Sequence, residues 1–173
     1  GDVLALERIL KANTPVFNET EVRTAVDMLL GGVEGPATTD GFRFIVAETD
    51  EGKVAGYALF ARTPLTHGTW DLYWIAADPA AHGRGVGPKL LRAVEEAAKN
   101  EGGRLVVIET SSRPDYARAR RFYERSGYKK TAVLEDFYKE GDHKLVYTRR
   151  IDKGESRRLN VPSMAQEPKP ATP

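Results

Sequence analysis

The sequence predicts a single domain of the α/β class. Its 173 residues, of which 40% are hydrophobic, suffice for one core that can hold a small-molecule site. Over residues 1–151, segments with helical periodicity alternate with β-rich segments in the order ααβββαβαββ. Residues 152–173 are rich in Pro, Ser, Lys and Glu, which predicts a flexible C-terminal tail.

Two helices are predicted at the N-terminal end. In Asp2–Ala12, apolar residues recur at helical spacing, and the pattern stops before Pro15. The second helix has Asn18 as its N-cap and Glu21 as the partner in a capping box. It is expected to run to about Leu30, where a glycine-rich loop follows.

Three strands are predicted next. Phe42–Glu48 and Val54–Ala61 are separated by the turn sequence Asp50-Glu51-Gly52, which favours an antiparallel hairpin. The third segment, Thr69–Ala77, is rich in aromatic and branched residues and stops at Asp78-Pro79. These strands form one part of the predicted sheet.

The second half of the domain alternates helix and strand. Apolar residues at helical spacing predict helices over Gly87–Asn100 and Asp115–Ser126, and Gly127 follows the latter as a left-handed C-cap. A polar loop with Gly141 and Asp142 joins the last two strands. The predicted strands are Leu105–Thr110, Lys130–Leu134 and Lys144–Ile151.

Composition excludes several classes of function. The formal charge of +1, with acidic and basic residues interspersed, argues against a nucleic-acid partner. There is no run of 18 apolar residues and no signal-peptide pattern, so we expect a cytoplasmic protein without a membrane partner. The absence of cysteine excludes disulfides and an acetyl-cysteine intermediate. The histidines lack ligand-like spacing, so no metal is expected at positions 67, 82 or 143.

The glycine loop, His82-Gly83-Arg84-Gly85-Val86-Gly87, lies between the third strand and the next helix. Glycines allow successive N–H groups to approach an anion closely, and a helix N-terminus adds a favourable dipole. Glycines also serve tight turns, so a phosphate site and a plain turn are about equally supported by the segment alone. Pro88-Lys89 excludes a P-loop, and proline at that position also breaks the dinucleotide-binding fingerprint.

Taken together, three segments resemble the GNAT superfamily of N-acetyltransferases. They occur in the family's order and spacing within residues 42–151, and they are Tyr73–Pro79, His82–Gly87 with Leu90-Leu91, and Phe122–Tyr128. The resemblance implies a mixed, mostly antiparallel sheet, splayed centrally and flanked by helices on both faces. It implies direct transfer of an acetyl group from acetyl-CoA to a primary amine of a small molecule or protein, in a ternary complex. A homodimer is a further expectation from the resemblance.

The resemblance also implies where the donor binds. Backbone amides of the glycine loop would hold the coenzyme A pyrophosphate, and the end of the third strand would pair with the pantetheine arm. An amide near Ile75 would polarise the acetyl carbonyl. Many members of the family carry a pantetheine-contacting Asn where this chain has Tyr116. The implied donor-binding residues are Ile75, Ala76, Ala77, His82, Gly83, Arg84, Gly85, Val86, Gly87 and Tyr116.

Three side chains are candidates for proton transfer. The resemblance implies that Tyr123 protonates the departing thiolate, and the alternative is a core aromatic residue. Glu109 ends a buried strand, where a carboxylate can have a raised pKa and act as general base. A solvated strand end, or an ion pair with Arg113, is equally supported for Glu109. Asp71 is the second candidate for the base.

The remaining polar and aromatic residues allow several interpretations. One set of aromatic strand residues could wall an acceptor pocket, although aromatic residues in strands more often belong to the core: Tyr57, Phe60, Tyr73 and Trp74. Residues of the last loop could attract an amine, namely Asp136, Tyr138 and Asp142. An arginine run is interpreted as a solvated helix face, part of which could meet phosphates: Arg118, Arg120, Arg121 and Arg125. One rival function is a non-catalytic acyl-CoA-binding sensor or interaction module on the same fold. The other is an enzyme that uses longer acyl chains or hydroxyl acceptors.

Overall fold

A six-stranded sheet with the order β1-β2-β3-β4-β6-β5 forms the centre of the molecule. A computed structural model describes residues 2–13, 19–20, 22–26 and 41–151. The strands are β1 Arg43–Glu48, β2 Val54–Arg62, β3 Thr69–Ala77, β4 Leu105–Ser111, β5 Lys129–Lys139 and β6 Asp142–Arg150. All neighbouring strands are antiparallel except β3 and β4, which confirms the predicted mixed sheet.

Helices cover both faces of this sheet, as predicted. They are α1 Asp2–Ala12, a helical segment α2 described at residues 19–20 and 22–26, α3 Val86–Asn100 and α4 Ala117–Arg125. Helix α1 buries Leu6, Ile9 and Leu10 in one apolar cluster with Tyr57 and Ala76. A second cluster joins α3 and α4 to the other face. None of the helices in the described ranges is long and apolar enough to cross a membrane.

The parallel pairing of β3 with β4 is short. It extends from the pair Thr69 and Leu105 to the pair Leu72 and Ile108. Beyond these pairs the two strands continue separately, as residues 73–77 and 109–111. The sheet is therefore splayed in its centre, as expected, and the gap opens next to the glycine loop.

A β-bulge at Tyr73 marks the start of this gap. Leu59 pairs with Trp74 and Phe60 pairs with Leu72, so Tyr73 is an extra residue in β3. A bulge bends its strand and increases the local twist. It also reverses the alternation of side chains, since Leu72 packs in the α3 cluster whereas Trp74 packs in the α1 cluster. The bulge thereby turns the end of β3 away from β4.

The start of α3 lies close to the sheet because β2 has glycine at position 56. A Cβ atom there would lie 2.7 Å from the carbonyl oxygen of Ala76 and 2.9 Å from Cγ1 of Val86. The buried face of α3 then packs Leu90, Leu91 and other apolar residues against the strands. This close approach positions the glycine loop beside the end of β3.

The last hairpin differs from the prediction. Residues Asp136 and Tyr138 belong to β5, and Asp142 begins β6, so the predicted loop shrinks to the turn around Gly141. Asp136 takes a left-handed φ of 51° within an irregular stretch of β5, and pairing with β6 resumes at Lys139. Asp136 Oδ1 accepts a hydrogen bond from Gly141 N (2.8 Å), and this contact stabilises the turn.

Smaller differences occur at the ends of other elements. Helix α4 starts at Ala117 because Pro114-Asp115-Tyr116 forms a separate 3₁₀ turn. Gly127 has a φ of 85°, which agrees with the predicted left-handed C-cap. The predicted N-cap at Asn18 and the predicted tail, residues 152–173, lie outside the described residues.

Candidate active site

A cavity of about 1750 Å³ occupies the gap between β3 and β4. It is bounded by the end of β3, the glycine loop, one side of α4 and alternate residues of β4. Typical small-molecule pockets have volumes of about 300–1,000 Å³. The cavity therefore has room for a ligand as large as a coenzyme together with a second substrate.

The glycine loop presents free N–H groups to this cavity. Gly83 and Gly85 have φ values of 79° and 74°, and a Cβ atom at either position would meet nothing within 4 Å. Val86 and Gly87 are the first residues of α3. Within the described chain, none of these four N–H groups has a backbone acceptor. An open cradle of amides at a helix N-terminus suits phosphate oxygens, so these residues fit the pyrophosphate of coenzyme A.

Two other amides of the loop donate hydrogen bonds to nearby backbone carbonyl groups. His82 N donates to the carbonyl oxygen of Pro79 (3.1 Å), and Arg84 N donates to that of Ala81 (3.3 Å). The His82 side chain lines the cavity, whereas Arg84 does not. These hydrogen bonds fix the turn, and they leave the donors of Gly83, Gly85, Val86 and Gly87 for a ligand.

The end of β3 forms a second wall. Ile75, Ala76 and Ala77 line the cavity, and on the β4 side they have no partner in the strand ladder. Tyr116, at the start of α4, lines the same cavity. The structure thus brings together the residues that the family resemblance assigned to binding of the pantetheine arm.

Only two of the four predicted aromatic wall residues reach the cavity. Tyr73 and Trp74 line it. Tyr57 and Phe60 are 0% and 1% exposed and belong to the packed clusters on the two faces of the sheet. The expectation that these two wall an acceptor pocket is wrong, because Tyr57 packs in the cluster under α1 and Phe60 in the cluster that includes α3.

Tyr123 lies between the core and the cavity. Its ring packs against Phe122, Tyr128 and Tyr147, and the residue also lines the cavity. The hydroxyls of Tyr128 and Tyr147 donate to Glu95 and Glu124, each at 3.0 Å. The Tyr123 hydroxyl forms no hydrogen bond with another described residue. Burial raises the pKa of the Tyr123 phenol above its ordinary value, so the hydroxyl remains a proton donor at neutral pH.

Glu109 stands at the mouth of the gap, immediately after the last residue of β4 that pairs with β3. Its Oε2 is 2.7 Å from Nζ of Lys144, which also lies 3.8 Å from the centroid of the Phe137 ring. Arg113, the partner suggested by the sequence, pairs with Asp115 instead (2.7 Å). The Glu109 carboxylate therefore has one oxygen engaged by an ammonium group, and its other oxygen forms no hydrogen bond with a described residue.

Asp71 lines the same part of the cavity from β3. The side chain is half-buried, and Oδ2 accepts a hydrogen bond from Thr63 Oγ1 (2.8 Å). Burial raises the pKa of Asp71, the Thr63 hydrogen bond opposes this shift, and the nearby charge of Glu109 adds to it. The structure thus places both candidate bases together, within electrostatic reach of each other.

A buried pair that the sequence analysis did not identify attaches the last hairpin to β4. Asp142 is 5% exposed and accepts a hydrogen bond from Ser111 Oγ, and both residues line the cavity. Tyr138 reaches the cavity from the same hairpin, whereas Asp136 does not. No local pattern identifies this pair, because Ser111 and Asp142 meet only through the pairing of β4 with β6.

Comparison with known proteins agrees with this geometry. Residues 6–128 match the family model described as the acetyltransferase (GNAT) family. A crystal structure from Desulfovibrio desulfuricans, assigned to the GNAT family, is 39% identical, with a TM-score of 0.80 over 87% of this chain and 92% of that chain. The chain belongs to the GNAT acetyltransferase family.

More distant relatives share the fold or part of the sequence. An uncharacterised N-acetyltransferase of Methanocaldococcus jannaschii is 32% identical over 104 residues, which cover 60% of this chain and only 63% of that relative's length. An aminoglycoside 6'-N-acetyltransferase in complex with coenzyme A is 16% identical, with a TM-score of 0.64 over 86% of this chain and 90% of that chain. At that identity the likeness concerns the fold alone.

Proposed function

We propose that this protein transfers an acetyl group from acetyl-CoA directly to a primary amine of a small molecule or protein. The observation that carries the proposal is the Tyr123 side chain, which lines a cavity at the place where β3 and β4 separate. A proton donor beside a strand gap, next to a cradle of amides, is what thioester aminolysis requires.

Three parts of the cavity would bind the donor. The amides of Gly83, Gly85, Val86 and Gly87 would hold the pyrophosphate, and the unpaired edge of residues 75–77 would bind the pantetheine arm. Tyr116 would border that arm. Trp74 lines the cavity near the gap, and its bulk favours an acetyl group over longer acyl chains.

The transfer itself needs two proton movements. As the amine nitrogen bonds to the acetyl carbon, the carbon–sulfur bond breaks and the departing sulfur takes a proton from the Tyr123 hydroxyl. The amine loses its proton to a base. We assign this role to Glu109 because it borders the gap, with Asp71 as the alternative on the neighbouring strand.

The acceptor end of the cavity supports an amine as substrate. Three carboxylates line it, those of Asp71, Glu109 and Asp142, and Tyr73 and Tyr138 add aromatic surface. A negatively charged wall attracts ammonium groups and raises their local concentration. The neutral amine that reacts would then form by proton loss inside the cavity.

An amine panel with detection of free coenzyme A tests the proposed function. We expect thiol release with at least one class of primary amine, and no release above the blank with the matching alcohols. The Tyr123→Phe variant is the matched control for contaminating activity. Tight binding of acetyl-CoA without release in the presence of any amine would overturn the proposal and favour an acyl-CoA sensor on the same fold.

The assignment of the base predicts a change in the pH profile. Glu109→Gln keeps the shape of the side chain and removes its basicity, so kcat/KM should fall about tenfold, and most steeply at low pH, where the amine is most protonated. Values of kcat/KM measured over the acidic limb of the pH–rate profile check this expectation.

Asp71→Asn is the matched comparison for that measurement. If Glu109 is the base, Asp71→Asn should keep the shape of the acidic limb. If the limb instead changes with Asp71→Asn and not with Glu109→Gln, Asp71 is the base. The raised pKa of Asp71 would then place the limb at a higher pH than an ordinary aspartate gives.

A further inference from the structure

The cavity extends along a groove between α3 and α4 whose outer part is lined by arginines. Three of them, Arg118, Arg121 and Arg125, lie on α4, and Arg92 lies on α3. The α4 residues are spaced by three and four positions, so they share one side of the helix. All four side chains are exposed.

These arginines differ from the others near the site in having no partner among the described residues. Arg120 donates to the carbonyl oxygens of Ser111 (2.8 Å) and Arg113 (2.7 Å). Arg149 pairs with Glu95 (2.9 Å). In contrast, no described residue forms a hydrogen bond or an ion pair with any of the four groove arginines.

The local charge balance of α4 is unfavourable without an anion. The helix contains a single carboxylate, that of Glu124, which accepts a hydrogen bond from Tyr147. Like charges four positions apart, such as Arg121 and Arg125, repel each other and destabilise a helix. A bound anion would remove this repulsion.

The groove arginines lie beside the free amides of α3. Phe122, between the arginines on α4, packs against Gly87 in the first turn of α3, where an added Cβ atom would lie 3.4 Å from the Phe122 ring. The amide cradle and the guanidinium groups are therefore adjacent but distinct sites for anions. A ligand with two separate phosphate groups could occupy both.

We propose that Arg92, Arg118, Arg121 and Arg125 form a subsite for the 3'-phosphate monoester of coenzyme A. This inference rests on the proposed function, in which the pyrophosphate occupies the amides. The monoester is attached to the ribose next to the pyrophosphate, just as the arginines adjoin the amides. A phosphate monoester carries about −1.5 to −2 charges at neutral pH, so clustered guanidinium groups bind it more strongly than a singly charged phosphodiester.

The subsite makes the protein selective among donors. Coenzyme A should bind at least about tenfold more tightly than 3'-dephospho-coenzyme A, and the difference should diminish as salt screens the charges. Titration calorimetry with both compounds at low and high salt measures this ratio.

A double variant tests which residues cause the selectivity. Arg121→Gln with Arg125→Gln should weaken coenzyme A binding about tenfold and change dephospho-coenzyme A binding less than about twofold, so the ratio falls towards one. Arg121→Lys with Arg125→Lys keeps the charge and should retain part of the ratio. Lys99→Gln with Lys129→Gln removes the same charge at exposed positions away from the cavity and should leave the ratio unchanged.

The possible results separate this inference from the proposed function. If wild type binds both compounds equally, or if the Gln variant weakens both equally, the arginines do not recognise the monoester and the inference is overturned. If wild type binds neither compound, the proposed function fails as well. Thermal melts of each variant show whether a loss of binding reflects loss of fold.

Discussion

Replacing Tyr123 with phenylalanine is expected to lower kcat by about 10²- to 10⁴-fold and to leave KM for acetyl-CoA nearly unchanged. The change removes one oxygen and keeps the ring, which packs on Phe122, Tyr128 and Tyr147 at centroid distances of 5.5, 6.5 and 6.0 Å. Steady-state kinetics with saturating acceptor measures the loss. It should shrink for donors whose thiol is a better leaving group, since those need less protonation.

The matched control for this prediction is Tyr147→Phe. It removes a hydroxyl from the same aromatic cluster, but Tyr147 donates to Glu124 and does not line the cavity. We expect kcat within about twofold of wild type and a stability loss of about 1 kcal/mol from the missing hydrogen bond. If Tyr123→Phe keeps more than about half of kcat while chemistry limits the rate, Tyr123 is a packing residue.

Gly85→Val is expected to raise KM for acetyl-CoA by about 10- to 100-fold. Gly85 has a φ of 74°, and a β-branched residue in that conformation costs of order 1–3 kcal/mol. No protein atom lies within 4 Å of a Cβ at this position, so the cost comes from the backbone and from crowding of the ligand. The loop would either keep its strained shape or turn its amides away from the phosphate.

Gly102→Val provides the control for backbone strain without loss of the cradle. Gly102 has the same φ of 74° and equally open surroundings, but it follows the opposite end of α3. The variant should lose stability and keep the donor KM. An unchanged donor KM in folded Gly85→Val would show that the loop does not hold the coenzyme.

Local sequence patterns predict the strand, the turn and the helix that border the proposed donor side of the site. The predicted and observed bounds of β3 agree at Thr69–Ala77, because a run of aromatic and branched residues is bounded by Gly68 and Asp78-Pro79. The start of α3 differs from the prediction by one residue, at Val86. The glycine signals are local too, since a positive φ at Gly83, Gly85 or Gly127 depends on the backbone of one residue.

The acceptor side depends on contacts between distant strands, so local patterns do not predict it. The bulge at Tyr73 arises from the register of β2 against β3. Lys144 reaches Glu109 because β6 pairs with β4, whereas Arg113, which is closer in sequence, is already held by Asp115. The strand β5 continues past Leu134 through Asp136, an aspartate in a conformation that few strand residues adopt.

The short parallel ladder between β3 and β4 also has a consequence for the order of folding. Residues 43–77 and 105–150 each form a continuous antiparallel half of the sheet. The four parallel pairs join these halves across the whole of α3 and form the shortest ladder of the sheet, so the loop entropy of this junction is offset by the fewest strand pairs. The junction that closes last is thus expected to be the one beside the substrate gap, where a bound donor would bridge the two halves and slow their separation.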